Sequence, residues 1–306
     1  MAEMETIPFV LGMFTVSGSP AFPALVLDDE AAVSIDAIAP LAARLGYALS
    51  GTQSLESLLG NWDYNFEALR RTVLALNDAQ AGKYFRSAFT AIEFLTPCAP
   101  IAAPRQILCD ITGCPGVQPC TFTTKLASTL VGPKAKVHLP KRANSVVAEG
   151  KVGVVLGRPI YQATVQEAAS AIAGYVTVTD ISLLPAQDTL GAEDWLVMKS
   201  HPSFLPTGPY FVPAAFAGEA NALDINIAVN GEKAFPGNIS KRAETLAQSI
   251  ARLSQTIQFF PGDLVCCGVT DGPALCDLPS LGDGDIVETA VSGLGQQTLN
   301  AMRTSE

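Results

Sequence analysis

Two apolar runs of strand length, Val152–Leu156 and Tyr175–Ile181, constrain this chain more than any other feature. Each carries a carboxylate at its edge, Glu149 before the first and Asp180 near the end of the second. Thr164–Ala173, with its run of alanines, reads as a helix filling the gap between them. Runs this apolar belong to strands buried on both faces. A carboxylate in such a place is costly unless a cation or a hydrogen-bond cluster meets it. A divalent metal would serve, and so would Lys151 or Lys199, the nearest cations along the sequence.

The rest of the chain sorts around that core. Pro8–Val16, Ala24–Leu27 and Ala32–Ile35 read as short strands separated by the turn Ser17–Pro20 and by Asp28-Asp29-Glu30. Helices are expected from a cap at Asp36 through Gly46, from Ser54 through Leu59, and over Asn65–Ala79. Phe94–Pro119, rich in proline, cysteine and alanine, forms a junction that contains a strand at Ile107–Ile111. From Ala135 onward, short strands punctuated by Gly and Pro dominate, with one further helix over Ile239–Thr256. The expected division is therefore 1–95, a small α+β domain, and 96–306, a strand-rich domain built on a wrapped sheet.

Composition excludes several functions. Net charge is −10, and no basic cluster lies beyond Lys134–Arg142, so nucleic acid is not an expected partner. No apolar run reaches the ~18 residues of a membrane helix, and the acidic start MAEMETIPFVLG lacks the basic opening of a signal peptide. A cytoplasmic protein is expected. The seven cysteines include no C-x-x-C knuckle and no adjacent histidine base, so they read as reduced, buried thiols.

Several segments, in order, carry a resemblance: TFTTKLASTLVGP (121–133), EGKVGVVLGR, GYVTVTDIS, MKSHPSFLPTGP, INIAVNGE, FFPGDLVCCGVTDG and GDGDIVETAVSGLG. Over roughly the last 190 residues, a whole domain's length, the chain resembles the fumarylacetoacetate hydrolase superfamily. The resemblance implies an α+β fold with a mixed-sheet β-roll, a homodimer, and chemistry on β-diketo or 2-oxo acids through an enolate or oxyanion. Family members hold Mg²⁺ or Ca²⁺ with a Glu-x-Glu and a later Asp. Residues i and i+2 of a strand share one face, which is why such a pair reaches one ion. Here the metal positions are Glu149 and Asp180, and the second Glu is replaced by Lys151.

That replacement changes the site charge by about +2. Either Mg²⁺ binds weakly through Glu149 and Asp180, or the Lys151 ammonium stands in for it. The second reading is favoured on charge, so no cofactor is expected and Mg²⁺ remains the alternative. The plain alternative, a Lys151 that snorkels to solvent, is disfavoured because Lys151 shares the strand face of Glu149.

By the same resemblance, Gln187 and Lys199 are catalytic and substrate-binding candidates, joined by Ser200, Gly268 and Val269. The family's Arg is Leu184 here, and the second threonine of its Thr-Gly-Thr-Pro loop is Val269. Ile107–Gln118 carries none of the family's catalytic histidine, and His201 reads as a packed ring. Asp110 falls near a fourth family ligand position. Without the histidine, decarboxylation, tautomerisation, dehydration or cyclisation of a small carbonyl acid is favoured over hydrolysis. The alternatives are a catalytically inactive binding protein or subunit of the same fold and, after it, a Mg²⁺-dependent C–C bond hydrolase.

Overall fold

The computed structural model describes residues 7–303 apart from 18, 29, 78–85, 112–119, 142, 144, 185–194, 270–271 and 274. Its first sheet has the order β4-β3-β2-β1-β5: β1 (Val10–Thr15), β2 (Phe22–Leu27), β3 (Ala31–Ser34), β4 (Phe89–Ala91) and β5 (Thr96–Cys98). Against it pack α1 (Ile35–Arg44), α2 (Leu55–Leu59) and α3 (Trp62–Leu76). Ser54 caps α2 as expected, its side chain accepting from Ser57 N. The cap of α1 is Ser34, accepting from Ala37 N, and not Asp36. Asp36 sits inside the first turn, where its charge suits the helix dipole.

The central sheet is six-stranded, in the order β13-β11-β10-β16-β6-β7. Its members are β6 (Ile107–Ile111), β7 (Thr121–Thr124), β10 (Ser145–Leu156), β11 (Ile172–Leu184), β13 (Val212–Pro213) and β16 (Leu264–Cys267). A third sheet, β15-β14-β17-β18-β9, closes over one face: β9 (Lys136–Leu139), β14 (Asp224–Val229), β15 (Glu232–Asn238), β17 (Ile286–Val291) and β18 (Gly295–Arg303). A small parallel pair joins β8 (Leu130–Val131) to β12 (Leu205–Pro206). The result is the α+β, mixed-sheet architecture that the sequence implies, with parallel and antiparallel pairs in one sheet.

The long strands β10 and β11 run antiparallel, linked by α4 (Val165–Ala171), whose capping box pairs Thr164 with Glu167. The third sheet approaches them closely at Gly150. A Cβ there would lie 2.5 Å from Ile225 Cγ2, so no larger residue fits without moving β14. The expected helix over Ile239–Thr256 is shorter. A 3₁₀ turn covers Ile239–Lys241, and α6 (Leu246–Ser254) starts afresh at a second capping box, Thr245 with Gln248. The break frees Arg242 to turn into the interior.

Candidate functional site

Register places the charges. In the β10–β11 ladder Glu149 faces Asp180 directly, and Lys151 lies two residues on along β10. Like charges opposite each other destabilise a sheet, so this pair needs compensation. β16 runs beside β10 and leads into Gly268; β6, beside β16, carries Asp110. Lys125 follows β7, and Lys199 ends α5 (Trp195–Lys199). Sheet pairing therefore draws residues far apart in sequence into one cluster.

Lys151 lies at its centre, fully buried. Its Nζ is 2.7 Å from Asp180 Oδ2, 3.0 Å from Asp110 Oδ1 and 3.6 Å from Glu149 Oε2, and it also donates to the Asp110 carbonyl. Lys199 Nζ donates to Asp180 Oδ2 and Ser182 Oγ, both at 2.8 Å, and lies 3.6 Å from Glu149 Oε2. Lys125 Nζ donates to Asp180 Oδ1 and to the carbonyls of Ile181 and Phe204. On the far side, Arg242 pairs with Asp110 and donates to the Gly268 carbonyl, while Gly268 N donates to both Asp110 oxygens. Among the described residues, four cations (Lys125, Lys151, Lys199, Arg242) thus meet three carboxylates (Asp110, Glu149, Asp180), leaving one positive charge in excess.

Titration follows from these contacts. Burial alone would raise Asp180, but Lys125, Lys151 and Lys199 hold it well below the usual carboxylate range. Asp110, against the same burial, is lowered by Lys151 and Arg242. Burial opposes the charge of Lys151, yet Asp180, Glu149 and Asp110 outweigh it and raise the group well above an ordinary lysine; Lys199 is raised in the same way by Asp180 and Glu149. Lys125 differs. Burial pushes it down by more than Asp180 restores, and Lys199 repels it. Three acceptors surround its nitrogen, and it yields its proton more readily than the other two.

These shifts set a stability profile. The depressed Asp110 and Asp180 contribute stability that is complete above about pH 4 and lost as the pH falls through their folded values. The raised Lys151 and Lys199 contribute stability that is complete below about pH 10.4 and lost as the pH climbs through theirs. The lowered Lys125 has the opposite sign: its cost is present below its folded value and relieved above it. The difference in stability between the parent and Lys151→Met should therefore be flat from about pH 5 to 8 and shrink in acid. Urea denaturation across that range checks it, and a difference that shrinks between pH 5 and 8 would contradict it.

The donor set does not fit a divalent cation. An ammonium occupies the space between the three carboxylates, and like charges a few Å apart repel by several kcal/mol at an effective dielectric near 20 (~4 kcal/mol at 4 Å). Among the described residues no three His, Cys, Asp or Glu side chains are grouped to hold a metal ion.

Of the sequence candidates, Glu149, Lys151, Asp180 and Lys199 come together in the cluster, and Gly268 borders it. Ser200 Oγ accepts from Leu126 N, beside Lys125. Val269 is buried and lines a small recess next to Glu149. Gln187 lies outside the described residues. His201 packs its ring on Phe204, centroids 5.0 Å apart. Burial pushes Cys267 up to about 12 and holds Cys266 well above an ordinary thiol, so neither is a ready nucleophile. Two cluster members had no role assigned from sequence. Lys125 sits inside the segment 121–133 quoted for the resemblance, and Arg242 was hidden in an expected helix. The cap at Thr245 was the available signal that the helix starts later.

The chain is similar to known proteins. The family described as fumarylacetoacetate (FAA) hydrolase C-terminal matches residues 115–300. A 2,4-didehydro-3-deoxy-L-rhamnonate hydrolase from Sphingomonas sp. (strain SKA58) is 35% identical over 176 residues, covering 56% of this chain and 61% of that protein. The chain thus spans about three fifths of that relative's length. The mitochondrial oxaloacetate tautomerase FAHD2A of Homo sapiens is 28% identical, covering 66% of this chain and 68% of the relative. The crystal structure of maleylpyruvate hydrolase from Sphingobium sp. SYK-6 with manganese(II) and pyruvate superimposes with a TM-score of 0.76 at 19% identity, covering 97% of this chain and 100% of the other. At that identity the likeness is one of fold.

Proposed function

Because the chain belongs to the fumarylacetoacetate hydrolase family, we propose that it acts on a small 2-oxo or β-diketo acid through an enolate, without a divalent metal. The observation that supports this reading is the excess positive charge among the described residues of the buried cluster. A net charge in a buried site calls for a counter-ion, and the carboxylate or enolate oxygen of an oxo acid supplies one. Relatives are named as a hydrolase of an oxo acid and as an oxaloacetate tautomerase. Enolate chemistry is common ground for such substrates.

In this mechanism Lys199 and Lys151, both raised and held charged, stabilise the developing oxyanion by preorganised electrostatics. Lys125, the lysine pushed down, gives its ammonium proton to the enolate carbon as the C–H bond forms, and as the neutral amine takes that proton back when the keto form enolises. Asp180 orients all three through its two oxygens. Tautomerisation or decarboxylation needs nothing more. Hydrolysis needs an activated water, for which the described site offers no histidine.

A second reading, an inactive binding protein or subunit of the same fold, is favoured by one observation. All three ammonium groups are fully buried, and each already has protein acceptors. Proton exchange separates the two readings. Pyruvate, 2-oxobutanoate and oxaloacetate are incubated with the protein in D₂O containing EDTA, and loss of the C3 proton signal is followed by NMR. The enzymatic reading expects protein-dependent exchange of at least one acid, unaffected by EDTA and suppressed in Lys125→Met. No exchange of any of the three would leave the inactive reading in its place.

A further inference from the structure

Resting on that reading, we infer that Arg242 is a positioning residue: acting through Asp110, it fixes where the Lys151 ammonium stands among the carboxylates. A guanidinium has five N–H donors in a planar fork, and the contacts of Arg242 take up all of them. Nε donates to the Glu244 carbonyl at 3.3 Å, Nη1 to Asp110 Oδ2 and the Gly268 carbonyl, and Nη2 to Ser249 Oγ at 3.3 Å and Cys120 Sγ at 3.7 Å. The side chain is 1% exposed. Arg242 therefore has no donor to offer a ligand, and any part it plays in the chemistry passes through its partners. Among those partners Asp110 is the one that accepts from a lysine.

Lys151 depends on Asp110 for two of its three acceptors. Its Nζ donates to the Asp110 carbonyl and meets Asp110 Oδ1 at 3.0 Å; the third acceptor is Asp180 Oδ2 at 2.7 Å. A carboxylate turns easily about its terminal torsion, and a turned Asp110 would release the ammonium toward Glu149, 3.6 Å away. Two clamps oppose the turn. Gly268 N donates to both carboxylate oxygens, and Arg242 bridges Oδ2 to the Gly268 carbonyl. Arg242 is itself held from α6, where Ser249 Oγ accepts from Nη2 and donates to Glu244 Oε2 at 3.0 Å. The series Glu244, Ser249, Arg242, Asp110, Lys151 thus runs from the partly exposed approach to α6 to the centre of the cluster.

A rivet that merely joins α6 to β6 and β16 would share these contacts, so the test follows Lys151 itself. Buried ammonium protons give NMR signals, and that of Lys151 is assigned by through-bond correlation in the isotope-labelled full chain. Arg242→Met should displace this signal and speed its hydrogen exchange about tenfold, the scale of one charge-assisted hydrogen bond. The Lys125 signal, whose acceptors do not include Asp110, should stay in place. In an Asp110→Asn background, Arg242→Met should change the Lys151 signal no further, though the urea midpoint falls again because the bonds to Gly268 and Ser249 are lost. Ser249→Ala should move Lys151 in the same direction by a smaller factor. A Lys151 signal that stays put in Arg242→Met, or that moves equally in both backgrounds, would overturn the inference. Where either variant does not fold, Ser249→Ala decides: Lys151 unmoved, or Lys125 moved as far, overturns it. None of these readouts needs a substrate, so absence of oxo-acid exchange in the unmodified protein strikes the functional reading alone.

Discussion

Replacing Lys151 by methionine should lower the stability of the fold by about 3–5 kcal/mol, the usual cost of removing one partner from a buried ionic group. Methionine keeps most of the side-chain length, so the loss is one of charge rather than volume. Without the ammonium, Asp110 loses its 3.0 Å partner, Asp180 loses the 2.7 Å one, and Glu149 faces Asp180 across the ladder with less compensation. The companion variant Lys151→Glu should behave differently. It sets four carboxylates against Lys125, Lys199 and Arg242, turning the excess charge from positive to negative. That protein should be poorly folded alone and recover stability with Mg²⁺ or Mn²⁺, which favour such oxygen donors. Urea denaturation with and without metal measures both. A Lys151→Met protein within about 1 kcal/mol of the parent would remove Lys151 from the centre of the account.

Lys199→Ala should reduce kcat/KM by roughly 10² or more on whichever oxo acid shows turnover, as loss of an oxyanion donor does. The effect should fall on kcat, because the charge is needed most as the enolate forms. Lys199→Arg should not restore it. The ammonium sits between two acceptors, Asp180 Oδ2 and Ser182 Oγ, each 2.8 Å away, and a planar fork cannot occupy that space. Ser200→Ala, whose hydroxyl accepts from Leu126 N, should stay within a factor of a few. Unchanged turnover in Lys199→Ala would take this lysine out of the mechanism.

Much of the site was legible in the sequence because strand periodicity is simple. Glu149 and Lys151 are two apart, so one face must carry both once Val152–Leu156 is read as a buried strand. Asp180 lies in the other apolar run, and its pairing with Glu149 follows from antiparallel register. What the sequence leaves hidden is long-range. Arg242 reaches Asp110 across 132 positions, and Lys125 reaches Asp180 across 55. No local pattern announces either. The Ile239–Thr256 region reads as one helix because its apolar spacing continues into the turn before Thr245, whereas burial of the Arg242–Asp110 pair overrides that local preference. At Ser34 and Asp36 the ambiguity is chemical: both residue types cap helices, and only the backbone conformation at Ser34 decides between them.

The same contacts give the protein its electrostatic character. Three ammonium groups converge on Asp180, two of them on a single oxygen, an arrangement that the two other carboxylates of the cluster, Asp110 and Glu149, help to offset. A divalent ion added there would raise the excess positive charge even if Lys151 first gave up a proton, and the acids around Lys151 raise its pKa and oppose that loss. The most direct measurement is therefore calorimetric titration of the unmodified protein with Mg²⁺ and Mn²⁺ near neutral pH. The account predicts no binding up to millimolar metal, and oxo-acid proton exchange that is the same in EDTA as in added Mg²⁺. Micromolar binding of either ion, or exchange abolished by EDTA and restored by Mg²⁺, would contradict it.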